Sequence, residues 1–142
     1  MPHLFDFSYH NPTQIHFGLD SFSKLKELVP QDARVLMLYG GGSIKKNGVY
    51  EQVSQALSGH QVVEFAGVEP NPTFETLNRA VELVRAEKLD FILAVGGGSV
   101  SDGAKYIACA ALYDGDGWDI VSSKHRVERA LPVGVVLTLA AT

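Results

Sequence analysis

The stretch Phe91–Lys105 reads FILAVGGGSVSDGAK, and it limits what the chain can fold into more than any other. Phe91 to Val95 form an unbroken apolar run, the pattern of a strand covered on both faces. Gly96, Gly97, Gly98 and Ser99 follow at once. Val100, Ala104, Ile107, Ala108 and Ala111 then recur at helical spacing. The order is strand, glycine turn, helix. A turn without Cβ atoms exposes bare backbone N–H groups. The helix start adds unpaired donors and about half a positive charge. Together they predict an anion site, with phosphate the expected ligand. Gly103, Ala104 and Ala108 are small enough for the helix to sit close to the sheet. The motif is not the dinucleotide fingerprint, because Ser101 stands at the third glycine position. It is not a P-loop, because Ala104 and Lys105 follow Gly103. A plain chain reversal is the bland alternative. Each glycine would cost about 1 kcal/mol against alanine if helical, so three in a row argue for a use.

Length and charge bound the rest. At 142 residues with 46% hydrophobic residues, the chain has material for one domain with a full core. Its net charge is −4, and no basic run exceeds Lys45–Lys46, which gives nucleic-acid binding no electrostatic support. Cys109 is the single cysteine and falls in the apolar helix, so a buried thiol and no internal disulfide are expected. The N-terminus MPHLFDFSYH lacks the apolar run of a signal peptide, and nothing approaches a membrane span. A soluble, cytoplasmic protein is the expectation.

Along the chain, Gln14–Phe17 alternate as a short strand ended by Gly18. Asp20 or Ser21 is placed to cap a helix whose face is Phe22, Leu25, Leu28 and Val29, with Pro30 as its stop. Arg34–Tyr39 is a second buried strand. It runs into Gly40, Gly41, Gly42 and Ser43, another copy of the glycine turn. Ile44–Asn47 link it to a helix carrying Val49, Val53, Ala56 and Leu57, with Gly59 at its C′ position. Gln61–Phe65 is a third strand, GVEPNP a loop, and Thr73 the cap of a helix with Leu77, Ala80, Val81 and Val84 inward. After the central unit, residues 114–131 read as polar and irregular, and Val133–Leu139 as a last strand. Five strands alternating with four helices predict an α/β fold: an open, mainly parallel Rossmann-like sheet with helices on both faces. Both glycine turns then lie at carboxyl ends of strands, where such sheets bind ligands.

Other signals are weaker. Asp114, Asp116 and Asp119 in DGDGWD resemble the start of a calcium loop, but His125 holds the place of its last glutamate, and a solvated turn is the simpler reading. The five histidines show no i, i+4 pair, so no metal site is inferred. Pro12 and Pro72 rule out glycosylation at Asn11 and Asn71. Asp102 is read in the first turn of the phosphate helix. It serves there either as favourable charge or as a partner for a ribose or substrate hydroxyl. Lys105 is either a surface lysine or a phosphate contact. Thr138 and Thr142 close the last strand at the ligand edge of the sheet.

NPTQIHFG at 11–18, YGGGSIKKNGVYEQV at 39–53, GVEPNPTFETL at 67–77, AVGGGSVSDGAKYIA at 94–108 and LPVGVVLTLAAT at 131–142 stand in a recognisable order. With them the chain resembles the amino-terminal domain of the iron-containing (group III) alcohol dehydrogenases. Its nearest likeness is to the NADPH-dependent butanol dehydrogenase and aldehyde reductase branch. The resemblance implies a dehydroquinate synthase-like amino-terminal domain over residues 1–142 that binds a dinucleotide. It implies that Gly96–Asp102 cradle the pyrophosphate, that Asn71 and Pro72 line the cofactor cleft, and that Thr138 and Thr142 lie near the adenosine and nicotinamide. It also implies a helical second domain, absent here, that holds a divalent metal (iron or zinc) through an aspartate and three histidines. Subunits of the family pair through the N-terminal strand, so a homodimer is expected.

Some relatives carry an aspartate just after the strand that here is Arg34–Tyr39, and it bonds the adenosine ribose. Gly40 or Gly41 occupies that place, followed by Ser43, Lys45 and Lys46. No acid repels a 2′-phosphate and several donors can bind one, which points to NADP as cofactor. The implied function is the NADP-binding domain of a metal-dependent alcohol dehydrogenase or aldehyde reductase, the chain alone being inactive. The alternatives are a non-catalytic nucleotide- or phosphate-binding module, or a relative of glycerol dehydrogenase or dehydroquinate synthase. The expected partner of the whole enzyme is a small alcohol or aldehyde.

Overall fold

The computed structural model of the chain describes residues 5–140. Its centre is a parallel sheet of β1 (Arg34–Tyr39), β2 (Gln61–Phe65), β3 (Phe91–Gly96) and β4 (Val133–Leu137), in the order β2-β1-β3-β4. A 3-10 turn, Ser21–Lys24, runs into α1 (Leu25–Leu28). Then come α2 (Ser43–Lys46), α3 (Val49–Ala56), α4 (Phe74–Ala86), α5 (Gly98–Ala110) and α6 (Trp118–Val121).

The two inner strands are the two apolar runs. In β1 only Arg34 is partly exposed, and in β3 every residue is buried. Alternate side chains serve opposite cores. Leu36, Leu38, Ile92 and Ala94 pack with Leu77, Ala80, Val81 and Val84 of α4 and with Val100, Ala104 and Ile107 of α5. Val35, Met37, Leu93 and Val95 pack with Val29, Ile44, Val53 and Leu57 on the other face. Each large aliphatic side chain so buried contributes about 1.5–3 kcal/mol. The step from β1 to β2 carries α3 on one face. The return to β3 and the step to β4 carry α4 and α5 on the other. Direction and face reverse together, as a constant hand of crossover requires.

The expected α/β class stands, with four strands rather than five among the described residues. Gln14–Phe17 is not a strand: it lies outside the sheet, with Ile15 and Phe17 exposed, because nothing among the described residues presents a ladder to it. The helix after Asp20 opens as a 3-10 turn without a side-chain cap; Ser23 Oγ instead donates to the Asp20 carbonyl. Residues 43–46 are helical rather than a linker. Gly59 is not the C′ residue, since α3 ends at Ala56 and Gly59 keeps a negative φ. Residues 114–131 include α6, and the last strand stops at Leu137. Cys109 is half-buried rather than buried. Thr73 caps α4 as expected, its Oγ1 accepting from Thr76 N–H at 3.2 Å. Gly103 serves helix–helix approach rather than helix–sheet packing: a Cβ there comes 2.9 Å from Leu77 Cδ2 of α4.

Candidate functional site

The winding of the sheet reverses between β1 and β3, and the crevice outside the carboxyl ends of that strand pair is where open α/β sheets take ligands. The two strands are paired from Val35↔Phe91 to Tyr39↔Val95. Their register brings the two glycine turns out side by side, on strands about 4.8 Å apart.

The turn after β3 is built for close approach. Gly96 has φ 152°, and a Cβ there meets Val100 Cγ2 at 3.0 Å, so only glycine fits. Gly97 is extended and is the N-cap of α5, with no side chain capping it. A Cβ at Gly97 or Gly98 meets nothing within 4 Å. The helix bonds begin with Ser101 N–H to the Gly97 carbonyl at 3.2 Å. The amides of Gly98, Ser99 and Val100 precede that first bond and are the donors a helix start leaves over. Thr138, one residue past β4, donates its N–H to the Gly96 carbonyl at 2.9 Å and so flanks the same turn.

The turn after β1 borders a cleft of about 320 Å³ walled by Tyr39, Gly40, Gly41, Gly42, Lys45, Ala66 and Gly67. Gly42 is left-handed at φ 106°. A Cβ at Gly40 comes 3.1 Å from the Val68 carbonyl, whereas at Gly41 it meets nothing. Ser43, the first residue of α2, is exposed and not among the walls.

One loop ties the two turns together. Past β2, Gly67 N–H donates to the Gly40 carbonyl at 3.0 Å and Val68 N–H to that of Tyr39 at 3.2 Å. Four residues on, Asn71 N–H donates to Ser99 Oγ at 3.3 Å. Asn71 has φ 51°, a region asparagine tolerates better than most residues but one that its following proline disfavours. Glu69 braces this bend. Its Oε1 accepts from Thr73 N–H at 2.7 Å and its Oε2 from Thr76 Oγ1 at 3.1 Å. Those bonds, the Thr73 amide first, hold its carboxyl below the usual glutamate range. A carboxylate with a lowered folded pKa adds stability that is present above the unfolded pKa and lost as pH falls through the folded one. We therefore expect Glu69→Gln to lower the urea midpoint at neutral pH. The gap to the parent should close as pH falls through the lowered pKa of the folded carboxyl. A gap that does not change with pH would mean the carboxylate charge is not what braces the loop.

The structure thus gathers Gly40, Gly41, Gly42, Asn71, Gly96, Gly97, Gly98, Ser99 and Thr138 at the carboxyl end of the sheet. Asp102 is displaced from its expected place. Because α5 starts at Gly98, Asp102 is its fifth residue and lies beyond the first turn. It pairs with Lys105 at 3.5 Å, both side chains at least 70% exposed, a surface pair of the kind worth about 0.3–0.5 kcal/mol. Thr142 lies outside the described residues. Sequence reasoning missed Ala66, Gly67 and Glu69. Glycine at 67, with φ 89°, was the available signal for a bend there.

Two of the acids of DGDGWD serve their own turn: Asp116 Oδ1 accepts from Trp118 N–H at 2.9 Å, and Asp119 Oδ2 from Tyr113 OH at 2.8 Å. Among the described residues no group of three or more His, Cys, Asp or Glu side chains is placed to hold a metal ion. Among them, too, no helix is long and apolar enough to cross a membrane.

Comparison with known proteins matches this geometry. The family model of iron-containing alcohol dehydrogenases matches residues 12–142. The chain is 54% identical over 140 residues to the NADPH-dependent aldehyde reductase YqhD of Escherichia coli K12, covering 96% of this chain and 36% of that protein. It is 53% identical over 140 residues to a probable NADH-dependent butanol dehydrogenase 1 of Bacillus subtilis, with the same coverage. The crystal structure of Escherichia coli K-12 YqhD superposes with a TM-score of 0.92 over 96% of this chain and 36% of that one, at 54% identity. That of an NADH-dependent butanol dehydrogenase A from Thermotoga maritima also gives 0.92, at 49% identity over 96% of this chain and 35% of that one. The chain spans about 36% of the length of the curated relatives it matches. A glycine turn on each inner strand, one loop joining them and a family match over nearly all its length have a single reading: this chain belongs to the iron-containing alcohol dehydrogenase family.

Proposed function

We propose that residues 1–142 are the cofactor-binding domain of an NADP(H)-dependent alcohol dehydrogenase or aldehyde reductase. The observation that carries this reading is the pair of glycine turns at the reversal point of the sheet, bridged by Gly67–Gly40 and Asn71–Ser99. The cradle fits a dinucleotide. Positions 97 and 98 leave open space where side chains would stand, beside amides that precede the first helix bond. When bound, the cofactor supplies or accepts the hydride at its nicotinamide. The residues here bind and orient it. The amides of Gly98, Ser99 and Val100 would hold the pyrophosphate, and Ser99 would be fixed by Asn71. Thr138 would flank the chain of the cofactor beyond it. Gly40–Gly42 and Ser43 would take the adenosine ribose with its 2′-phosphate. Asp102, on the exposed side of α5, would reach a hydroxyl only by leaving Lys105. The family's metal has no donor set among the described residues. We assign it to a second domain.

The test is titration of the 142-residue chain with NADPH and NADH by calorimetry. NADPH should bind about tenfold tighter or better, as one charge-assisted bond to a 2′-phosphate supplies. The chain should not oxidise NADPH with butanal on its own. Ile15, Phe17 and Leu19 alternate on an arm that is at least 84% exposed, which supports pairing with a second copy. Light scattering on the same sample should therefore return twice 15.4 kDa. Binding of neither cofactor overturns the proposed function, and a monomer overturns the pairing.

A further inference from the structure

The lysine on the wall of the first glycine cleft is seated by residues outside the turn. Tyr39 ends β1 and Tyr50 lies on α3, and their rings meet edge to face with centroids 6.0 Å apart. Both phenols donate to one carboxylate, that of Glu64 on β2: Tyr39 OH to Oε1 at 2.9 Å and Tyr50 OH to Oε2 at 2.8 Å. Over this clamped pair stands the Lys45 ammonium, 4.9 Å from the Tyr50 ring centroid and 5.6 Å from that of Tyr39. Burial and the Glu64 bond push the Tyr39 phenol up; for Tyr50 the Glu64 bond comes first. Both therefore remain neutral donors, with ring faces that attract a cation. An exposed lysine otherwise loses rotamer freedom when it binds, and a ring seat removes part of that loss in advance. Among the described residues Lys45 is the single charged wall of the cleft.

We propose that Glu64 and Tyr50 are specificity-determining positioning residues, which hold Lys45 at the Gly40–Gly42 cleft to read a phosphomonoester on the ribose. The proposal rests on the cofactor reading above and names the device that gives it its preference. Neither residue touches the ligand. Glu64 spends both carboxylate oxygens on the phenols and is not a wall of the cleft.

The sign of one substitution separates positioning from bulk charge. Glu64→Gln removes a negative charge near an incoming phosphate, so Coulomb's law alone predicts tighter phosphate binding. Positioning predicts weaker binding, because an amide cannot accept from both phenols with a charged group's strength. The probes are adenosine 2′,5′-bisphosphate and 5′-AMP, which differ by the one phosphate, titrated calorimetrically into the full chain. The quantity read is the ratio of their affinities. Lys45→Met should reduce that ratio about tenfold, and Glu64→Gln and Tyr50→Leu about three- to fivefold each. With Lys45→Met already present, Glu64→Gln should change the ratio no further. Thermal unfolding of each variant confirms that the fold persists, and Tyr50→Phe, which keeps the ring, should lie between Tyr50→Leu and the parent. If the parent does not discriminate the probes, the cofactor reading of this turn fails and the proposal with it. If the parent and Lys45→Met behave as stated but Glu64→Gln leaves the ratio unchanged or raises it, the positioning proposal alone is overturned.

Discussion

Gly97→Asp should abolish binding of both NADPH and NADH while leaving the chain as stable as before or slightly more so. Gly97 is the N-cap of α5, with φ −90° and ψ −165°, the extended conformation in which aspartate caps best. A Cβ at this position meets nothing within 4 Å, so the substitution causes no clash. The new carboxylate would accept from the amides of Ser99 or Val100, and its charge would favour the helix start by a few tenths of a kcal/mol over glycine. Those are the donors assigned to the pyrophosphate. The ligand would lose about two charge-assisted bonds at about 1.5–3 kcal/mol each and meet a like charge as well. That corresponds to a loss of about 100-fold or more in affinity. Calorimetric titration with both cofactors, beside a urea unfolding curve, reads the two effects separately. A variant that still binds NADPH within a few-fold of the parent would remove the anion site from the start of α5.

Gly41→Asp should act on only one of the two cofactors. Its φ lies outside the left-handed region and its Cβ direction is empty, so the aspartate enters without strain. Gly40 does not offer the same clean test, because a Cβ there crowds the Val68 carbonyl at 3.1 Å and disturbs the joining loop. At position 41 a carboxylate would face the 2′-phosphate of NADPH and repel it, and would offer the unphosphorylated ribose of NADH an acceptor. NADPH affinity should fall about 10- to 100-fold, and NADH affinity should hold or improve. Side-by-side titrations of parent and variant decide it. Equal loss of both cofactors, or of neither, would mean that this turn does not read the 2′-phosphate. The relatives give the question its weight, since proteins 54% and 53% identical to this chain are named for NADPH and for NADH respectively.

The parts of the fold legible in the sequence were those with a short period. Val35–Tyr39 and Phe91–Val95 are apolar at every position because each strand is covered on both faces, and a continuous run records that directly. Leu77, Ala80, Val81 and Val84 recur at helical spacing and are all buried in α4. Thr73 announced its cap because capping is a contact within four residues. Gln14–Phe17 had the alternation of a strand, but a strand also needs a neighbour, and alternation carries no information about one. Asp102 was misplaced by one turn because the helix boundary depends on which glycine caps it, and three glycines in a row gave no local signal for Gly97 over its neighbours.

The candidate site divides along the same line. That each inner strand ends in bare backbone followed by a helical segment is written in YGGGS and VGGGS, since only the residue types are needed to see it. That these two turns become neighbours is not written there. It follows from the order β2-β1-β3-β4, in which the chain leaving β2 crosses back over β1 and places β3 on the other side of β1. That choice is made by the burial of two long apolar strands in the middle of one sheet, which leaves the more polar β2 and the half-exposed β4 at its edges. The contacts that complete the site, Gly67 to Gly40, Asn71 to Ser99 and the Glu64 clamp on Tyr39 and Tyr50, each span at least 14 residues. Local propensity has no reach over such distances. Only the closed tertiary structure, with its strand register set, brings those groups within hydrogen-bonding distance.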